Sequence, residues 1–475
     1  MPVDVFNVSN EECMSETLNG VSSINPELND SEDVPLTPES ESLMETAVDH
    51  GEHEYKDKTV SEASQQTKTP RKRSKGEQPK TPLKKVVVCF DVGSSLNKIL
   101  YQVEGHDVQY MIMEPLHLAL PPESAASLPV DSGLGRPEDN AWIRYKKGEE
   151  CHAIGRVAGD FKAFVNFKTL KWEIATPKIL GAIGAIAERE GLGTAFRLEL
   201  GVLLPWGEIS STEQLESELK SAMGGFYFRH QRLTVRLERY KCVPEGSGLA
   251  MWTGMNDRSA FSRHNFAFLM FGHRNTSSLF FRKGTLCRSS SSTTELGFYD
   301  LIDKMRGYVA GLSRNDVLRA IKTQHNGYWK QGSWPKKIAS EINWSVITKS
   351  TDPERARAEV EKLESAYATS KREYWALLSN WLNSTLPPKT DIDGVFCCGG
   401  AAEFLLERVS EYFKGIEVLM PESCPSELGE ALRMDKEIKE NNSEFLKLNL
   451  INRFTDVWGF FSIFSGYQIK EQEVA

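Results

Sequence analysis

The chain has 475 residues, 40% hydrophobic and 26% charged, with a formal net charge of −9; that length supports two or three folding units and excludes a peptide-scale or wholly disordered protein. Its eight cysteines show no CxxC spacing, which excludes a disulfide scaffold, a zinc ribbon and a thioredoxin-like motif and points to a reduced, cytoplasmic setting. No apolar run approaches the ~18 residues of a membrane span, and the first residues lack the basic-then-apolar order of a signal peptide.

Charge falls into three regimes: residues 1–66 carry a net −14, residues 67–85 a net +7 and residues 86–475 a net −2. From Met1 to Lys85 the chain is rich in Ser, Glu, Asp, Thr and Pro, with almost no aromatics and no sustained apolar period. Such a composition cannot offset its ordering entropy and predicts a disordered tail. Its basic stretch, KTPRKRSKGEQPKTPLKK, reads either as a solvated linker or as a contact for phosphate backbones or anionic lipid. No aromatic is interleaved to stack on bases, which favours the linker.

Val86 to Phe90 is a short β-branched apolar run, the pattern of a strand buried on both faces. It stops at Asp91-Val92-Gly93-Ser94-Ser95, and a second apolar stretch, Ile99 to Val103, follows Lys98. A hairpin with this tip can hold phosphate: Gly93 permits close backbone approach, Ser94 and Ser95 offer hydroxyls, Lys98 offers a point charge, and Asp91 can hold the water shell of a magnesium ion. The alternative is an ordinary Gly/Ser turn with a surface lysine. Further on, a hairpin is expected between Trp142 and Ile154, a helix near Pro177 to Glu190, a strand from Phe196 to Val202 and a hairpin-like stretch from Gly225 to Tyr240.

A second hairpin of similar shape is expected at 266–284, with the polar tip Gly272-His273-Arg274-Asn275-Thr276, which suggests an internal duplication. His273 and Arg274 are read as solvated turn residues, with phosphate contact as the alternative. Residues 294–386 read as mostly helical, and five tryptophans there (Trp329, Trp334, Trp344, Trp375, Trp381) are either core or an interface. Asp393 to Cys398 then runs as a strand into Gly399-Gly400-Ala401-Ala402 and a helix from Glu403. Small residues at that turn let a flat ring lie against backbone, or simply allow close helix–strand packing.

The two hairpins and the GG turn, in this order, resemble the actin-like ATPase superfamily, most nearly the bacterial plasmid-segregation actins of the ParM/StbA type, over most of residues 86–465. Leu203-Leu204-Pro205-Trp206-Gly207-Glu208 is similar to the family's LP-x-x-E segment, Val243-Pro244-Glu245-Gly246 to its P-E-[SG] stretch, and Asn452 to Phe460 to its closing signature, with Asp456 where Asn is usual. The resemblance implies a two-lobed α/β fold of duplicated ribonuclease-H-like type: a 1–85 tail, lobe I at 86–211, and lobe II at 212–475 with a helical insertion at about 310–386. It implies ATP or GTP with Mg2+ as cofactors. Asp91 would serve as metal-side acid, Glu208 would orient the attacking water, and Gly93, Ser94, Ser95, Lys98, Gly272, Asn275 and Thr276 would surround phosphates. Gly399, Gly400, Ala401, Ala402 and Lys304 would surround adenosine.

One departure bears on activity. Where the family carries an Asp in the second hairpin, this chain has Met270, which implies weakened hydrolysis. The function implied is therefore a nucleotide-binding, filament-forming protein of plasmid or DNA segregation, reaching DNA through an adaptor or the basic 67–85 segment. The alternatives are a non-polymerising pseudo-ATPase that partners a true actin-like protein, or a small-molecule kinase of the same superfamily.

Overall fold

The computed structural model describes residues 82–128, 135–145, 150–322, 342–420, 423–432 and 450–467. The expectations for residues 1–81, for the turn of the Trp142–Ile154 hairpin, and for Trp329 and Trp334 lie outside them.

Strands in the first half are β1 (Lys85–Asp91), β2 (Asn97–Val103), β3 (Gln109–Met113), β4 (His117–Leu120), β5 (Trp142–Arg144), β6 (Cys151–Ile154), β7 (Ala195–Leu204), β8 (Phe226–Phe228) and β9 (Gln231–Pro244). They form one sheet in the order β3-β2-β1-β7-β9-β8-β5-β6-β4. The β1–β2 and β2–β3 pairs are antiparallel, whereas β1–β7 and β7–β9 are parallel. The apolar run at the start of β1 is explained by this position: Val86, Val88, Cys89 and Phe90 are all essentially buried, with strands on either side. The Ala175–Arg189 helix covers the sheet with Ile179, Leu180, Ile183 and Ile186.

The second half contributes β10 (Asn265–Phe271), β11 (Thr276–Arg282), β12 (Thr285–Leu286), β13 (Ser292–Thr294), β14 (Gly394–Cys398) and β15 (Glu417–Leu419). Their order is β12-β11-β10-β14-β15, with β13 added to β11. Here too the hairpin β10–β11 is antiparallel while β10–β14 and β14–β15 are parallel. An antiparallel meander followed by two parallel crossovers thus occurs twice, β1 corresponding to β10, β2 to β11, β7 to β14 and β9 to β15. This is the duplicated, ribonuclease-H-like arrangement of an actin-like fold.

The first sheet does not end at residue 211. Phe226–Phe228 and Gln231–Pro244 belong to it, β9 pairing in parallel with β7 from Ala195↔Thr234 to Leu204↔Pro244, so the first lobe runs on to Pro244. The second lobe carries the helices Phe298–Tyr308, Arg314–Lys322 and Pro353–Thr385. Trp344 is buried in the core they share with the second sheet, and Trp375 and Trp381 pack against it; these three tryptophans serve as core.

Two helices carry the chain between the sheets. Ser247–Asn256 follows β9, and Leu450–Ser465 returns from the second half to pack on the first sheet, where Phe460 lies over Gly201. They cross backbone to backbone. A Cβ on Gly248 would lie 1.8 Å from the Asp456 carbonyl oxygen, and one on Gly459 would lie 2.2 Å from the Gly248 oxygen, so both crossing points require glycine. Asp456 fixes the crossing by accepting the Gly246 N–H at 2.8 Å and the Leu249 N–H at 3.1 Å, which satisfies free donors at the start of the Ser247–Asn256 helix.

Among the described residues, no helix is long and apolar enough to cross a membrane.

Candidate functional site

In open α/β sheets, ligands sit beyond the carboxyl ends of the parallel strands. Asp91 closes β1, Glu208 lies just after β7 and Glu245 just after β9; in the second sheet Met270 lies near the end of β10 and Gly399 follows β14. The fold therefore gathers these residues at one edge of each sheet. A cavity of about 160 Å³ opens between them.

Its first wall is the β1–β2 tip. Gly93 donates its N–H to the Asp91 carbonyl at 2.9 Å, and a Cβ there would fall 1.8 Å from the Leu96 oxygen, so no other residue fits. Asp91 and Lys98 are directly opposite in the ladder, which points their side chains to the same face. The carboxylate and ammonium form an ion pair, with Asp91 1% and Lys98 7% exposed. Ser94 and Ser95 line the cavity beside them.

The second wall is the β10–β11 tip. Gly272 donates its N–H to the Asn275 carbonyl at 3.0 Å, and the Gly272 and His273 carbonyls accept N–H groups from Phe298 and Tyr299 at 3.1 and 3.0 Å. The tip is thereby fastened to the start of the Phe298–Tyr308 helix. Met270 lines the cavity, with its sulfur 3.6 Å from that of Cys398. Cys397 and Cys398 are buried core residues, as the sequence suggests.

The third wall is the GG turn. Gly399 has φ +95°, and a Cβ there would lie 2.4 Å from the Phe271 oxygen; Ala401 donates its N–H to that same oxygen at 3.2 Å. Gly400 and Ala401 line the cavity with Leu318 and the rings of Phe298 and Phe404, whose centroids are 5.1 Å apart. This end is apolar and flat-sided, while the hairpin end is charged.

Of the residues singled out in the sequence, the structure brings Asp91, Gly93, Ser94, Ser95, Lys98, Gly272, Gly400 and Ala401 to the cavity. Gly399, Ala402, Asn275 and Thr276 do not line it; Thr276 donates its hydroxyl to the Leu296 carbonyl at 2.8 Å. Lys304 is also off the lining, half-buried on the Phe298–Tyr308 helix. Glu208 is buried but does not line the cavity. Its Oε2 accepts the Trp172 N–H at 3.0 Å and its Oε1 lies 3.7 Å from Arg274 Nη1. Burial raises its pKa, against the lowering effect of the Trp172 N–H, Lys171 and Arg274.

His273 and Arg274 are not the solvated turn residues expected. Arg274 is 5% exposed and donates from Nη1 to the Thr169 carbonyl at 2.7 Å, and His273 lines the cavity near the Phe167 and Tyr299 rings. The cause is the 166–172 segment, which covers this tip; Phe167 stacks on Tyr299 at 4.4 Å between centroids.

Three lining residues were missed as ligands in the sequence: Lys171, Glu245 and Arg453. Lys171 and Glu245 form a buried ion pair although 74 residues apart, and burial raises the pKa of Glu245. Arg453 donates from Nη2 to Ser95 Oγ at 2.8 Å, and its Cγ lies 3.4 Å from where a Cβ on Gly400 would stand. One local signal pointed to it: Arg453 and Asp456 are the two charged residues in the mostly apolar Leu450–Ser465 helix.

The donor set does not fit a dedicated magnesium site. Magnesium takes hard oxygen ligands in near-octahedral order, with one or two carboxylates. Here Asp91 is engaged by Lys98 and Glu245 by Lys171, Asp456 accepts two backbone N–H groups, and Met270 offers only a soft thioether. Among the described residues, no group of three His, Cys, Asp or Glu side chains is placed to hold a metal.

No family model matches this sequence, and no curated protein does. Among solved structures the chain is similar to a 15-stranded ParM filament from Clostridium botulinum, with 11% identity over 81% of this chain and 99% of that one and a TM-score of 0.49. It is also similar to Ta0583, an archaeal actin homologue (14% identity, 80% and 100% coverage, TM-score 0.48), and to an apo pSK41 ParM protein (12% identity, 80% and 97% coverage, TM-score 0.47). The assignment of the fold rests on the duplicated strand order and register described above.

Proposed function

We propose that this chain is a nucleotide-binding actin-like protein that assembles into filaments and serves plasmid or DNA segregation, with slow nucleotide hydrolysis. The observation that carries the nucleotide reading is the cavity itself. Two glycine-tipped hairpins at equivalent places in a duplicated sheet meet a GG turn, giving a cationic end for phosphates and an apolar, aromatic end for a base. Slow hydrolysis follows from Met270 at the second hairpin and from Glu208 being set back from the cavity beside Arg274; both reduce charge stabilisation and water positioning at a phosphoryl-transfer site. The filament and segregation parts of the reading come from the motif resemblance to plasmid-segregation actins. In such an assembly, subunits stack head to tail through heterologous, non-closing contacts.

A second reading, a non-polymerising partner of another actin-like protein, is favoured by Met270 alone. Sedimentation of the full chain with and without ATP, run beside a phosphate-release assay, separates the two. Pelleting that depends on nucleotide, with slow release, supports the filament. Nucleotide binding with no pelleting at any concentration supports the partner reading instead.

A further inference from the structure

We infer that the cleft takes a nucleoside di- or triphosphate without a divalent cation, and that Arg453 supplies at the phosphate loop the positive charge a metal would bring. This rests on the nucleotide reading above and deepens it. Three cations and two carboxylates line the cavity: Lys98, Lys171 and Arg453 against Asp91 and Glu245. Two of the cations are already neutralised, Lys98 by Asp91 and Lys171 by Glu245. Among the described residues, Arg453 has no carboxylate within ion-pair distance; its Nη2 donates to the Ser95 hydroxyl at 2.8 Å.

That bond places the guanidinium at the Gly93–Ser95 tip, where phosphate oxygens would arrive. An arginine carries five N–H donors in a rigid fork suited to phosphate, and one bond to a hydroxyl leaves most of them available. Packing of the Arg453 stem against Gly400 fixes the fork between the phosphate end and the base end. Burial pulls the arginine pKa down to about 10, against the raising effect of the Asp91 carboxylate, which still leaves it charged at neutral pH. Among the described residues, the same pairings that leave Arg453 without a direct ion pair tie one oxygen of each lining carboxylate to an ammonium group, which lowers the negative charge a magnesium ion would use. The charge pattern and the donor set therefore point the same way.

The test is titration of the full-length protein with ATP in EDTA and in excess magnesium, by calorimetry, for the wild type and for R453M, which keeps the aliphatic stem and loses the charge. Expected are wild-type dissociation constants within about threefold of each other, and a loss of about tenfold or more for R453M under both conditions, the scale of a lost charge-assisted contact. Binding that weakens more than about tenfold on removal of magnesium overturns the metal-free inference alone, whether or not the variant folds. Unchanged affinity in a folded R453M overturns the role of Arg453. Absence of ATP binding under both conditions overturns the nucleotide reading and this inference with it.

Discussion

Arg274, on the tip between β10 and β11, reaches Glu208 at the end of β7, Nη1 to Oε1 3.7 Å, with both side chains almost fully buried. A residue of the second sheet's hairpin thus stands beside a carboxylate of the first, and the same guanidinium holds the Thr169 carbonyl at 2.7 Å. Among the described residues, this is the tie that fastens the 166–172 segment over the second hairpin by a charged group.

Loss of that tie should be visible as local opening. In R274M the Thr169 carbonyl and the Glu208 carboxylate lose their cationic partner, so amide hydrogen exchange across residues 166–172 should rise while exchange in β1 and β7 stays slow. Glu208 should also titrate higher, because the lowering effect of Arg274 on its raised pKa is removed. Unchanged exchange at 166–172 would show that the Phe167–Tyr299 stack and the Lys171 and Trp172 contacts hold the segment without Arg274.

The Asp91–Lys98 pair predicts a non-additive cycle. K98M leaves a buried carboxylate without its partner and should destabilise the protein by about 3–5 kcal/mol. Adding D91N should recover most of that loss, and chemical denaturation of the two singles and the double measures it. Additive losses would mean that the two groups do not depend on one another.

Helix crossing makes a paired glycine prediction. G459A drives a Cβ to within 2.2 Å of the Gly248 oxygen and should cost several kcal/mol, on the order of 3 or more, or prevent folding. G307A, inside the Phe298–Tyr308 helix with nothing within 4 Å of its Cβ, should instead stabilise by about 0.5–1 kcal/mol. Thermal melting distinguishes the two signs directly.

Asp456 gives a pH dependence. Burial raises its pKa from 3.8 to about 6, in spite of the two N–H groups it accepts. A carboxyl with a raised folded-state pKa keeps its proton in the native state while the unfolded chain loses it. Its contribution is therefore fully present below pH 3.8, falls as pH rises from there to about 6, and is flat above that. The fall is on the order of 3 kcal/mol. In D456N this component should be absent, so the difference in unfolding free energy between variant and wild type should change over that window and be constant above it; a difference independent of pH would assign the raised pKa to some other group.

What could be read from the sequence was local. The hairpin tips show because glycine and serine interrupt apolar β-branched or aromatic runs, and the Asp91–Lys98 juxtaposition follows once a hairpin between Phe90 and Ile99 is assumed. The GG turn shows for the same reason. Lys171 and Glu245, 74 residues apart, and Arg453 and Ser95, 358 residues apart, meet only through tertiary packing, and no spacing rule reports that. The first-lobe boundary was misplaced because Gln231–Pro244 looks like one arm of a local hairpin, while its full-length partner is β7, reached by a parallel crossover. Arg274 looked solvated because the segment that buries it lies over a hundred residues upstream.

The proposed role of the cavity between the two hairpins and the GG turn is to hold a nucleotide. The most direct measurement is a structure of the full chain with a non-hydrolysable ATP analogue. Phosphates are expected at the Gly93–Ser95 tip, within reach of Lys98 and Arg453, and the base against Gly400, Ala401 and the Phe298–Phe404 rings. An analogue bound elsewhere, or a cavity that stays empty at saturating analogue, would contradict it.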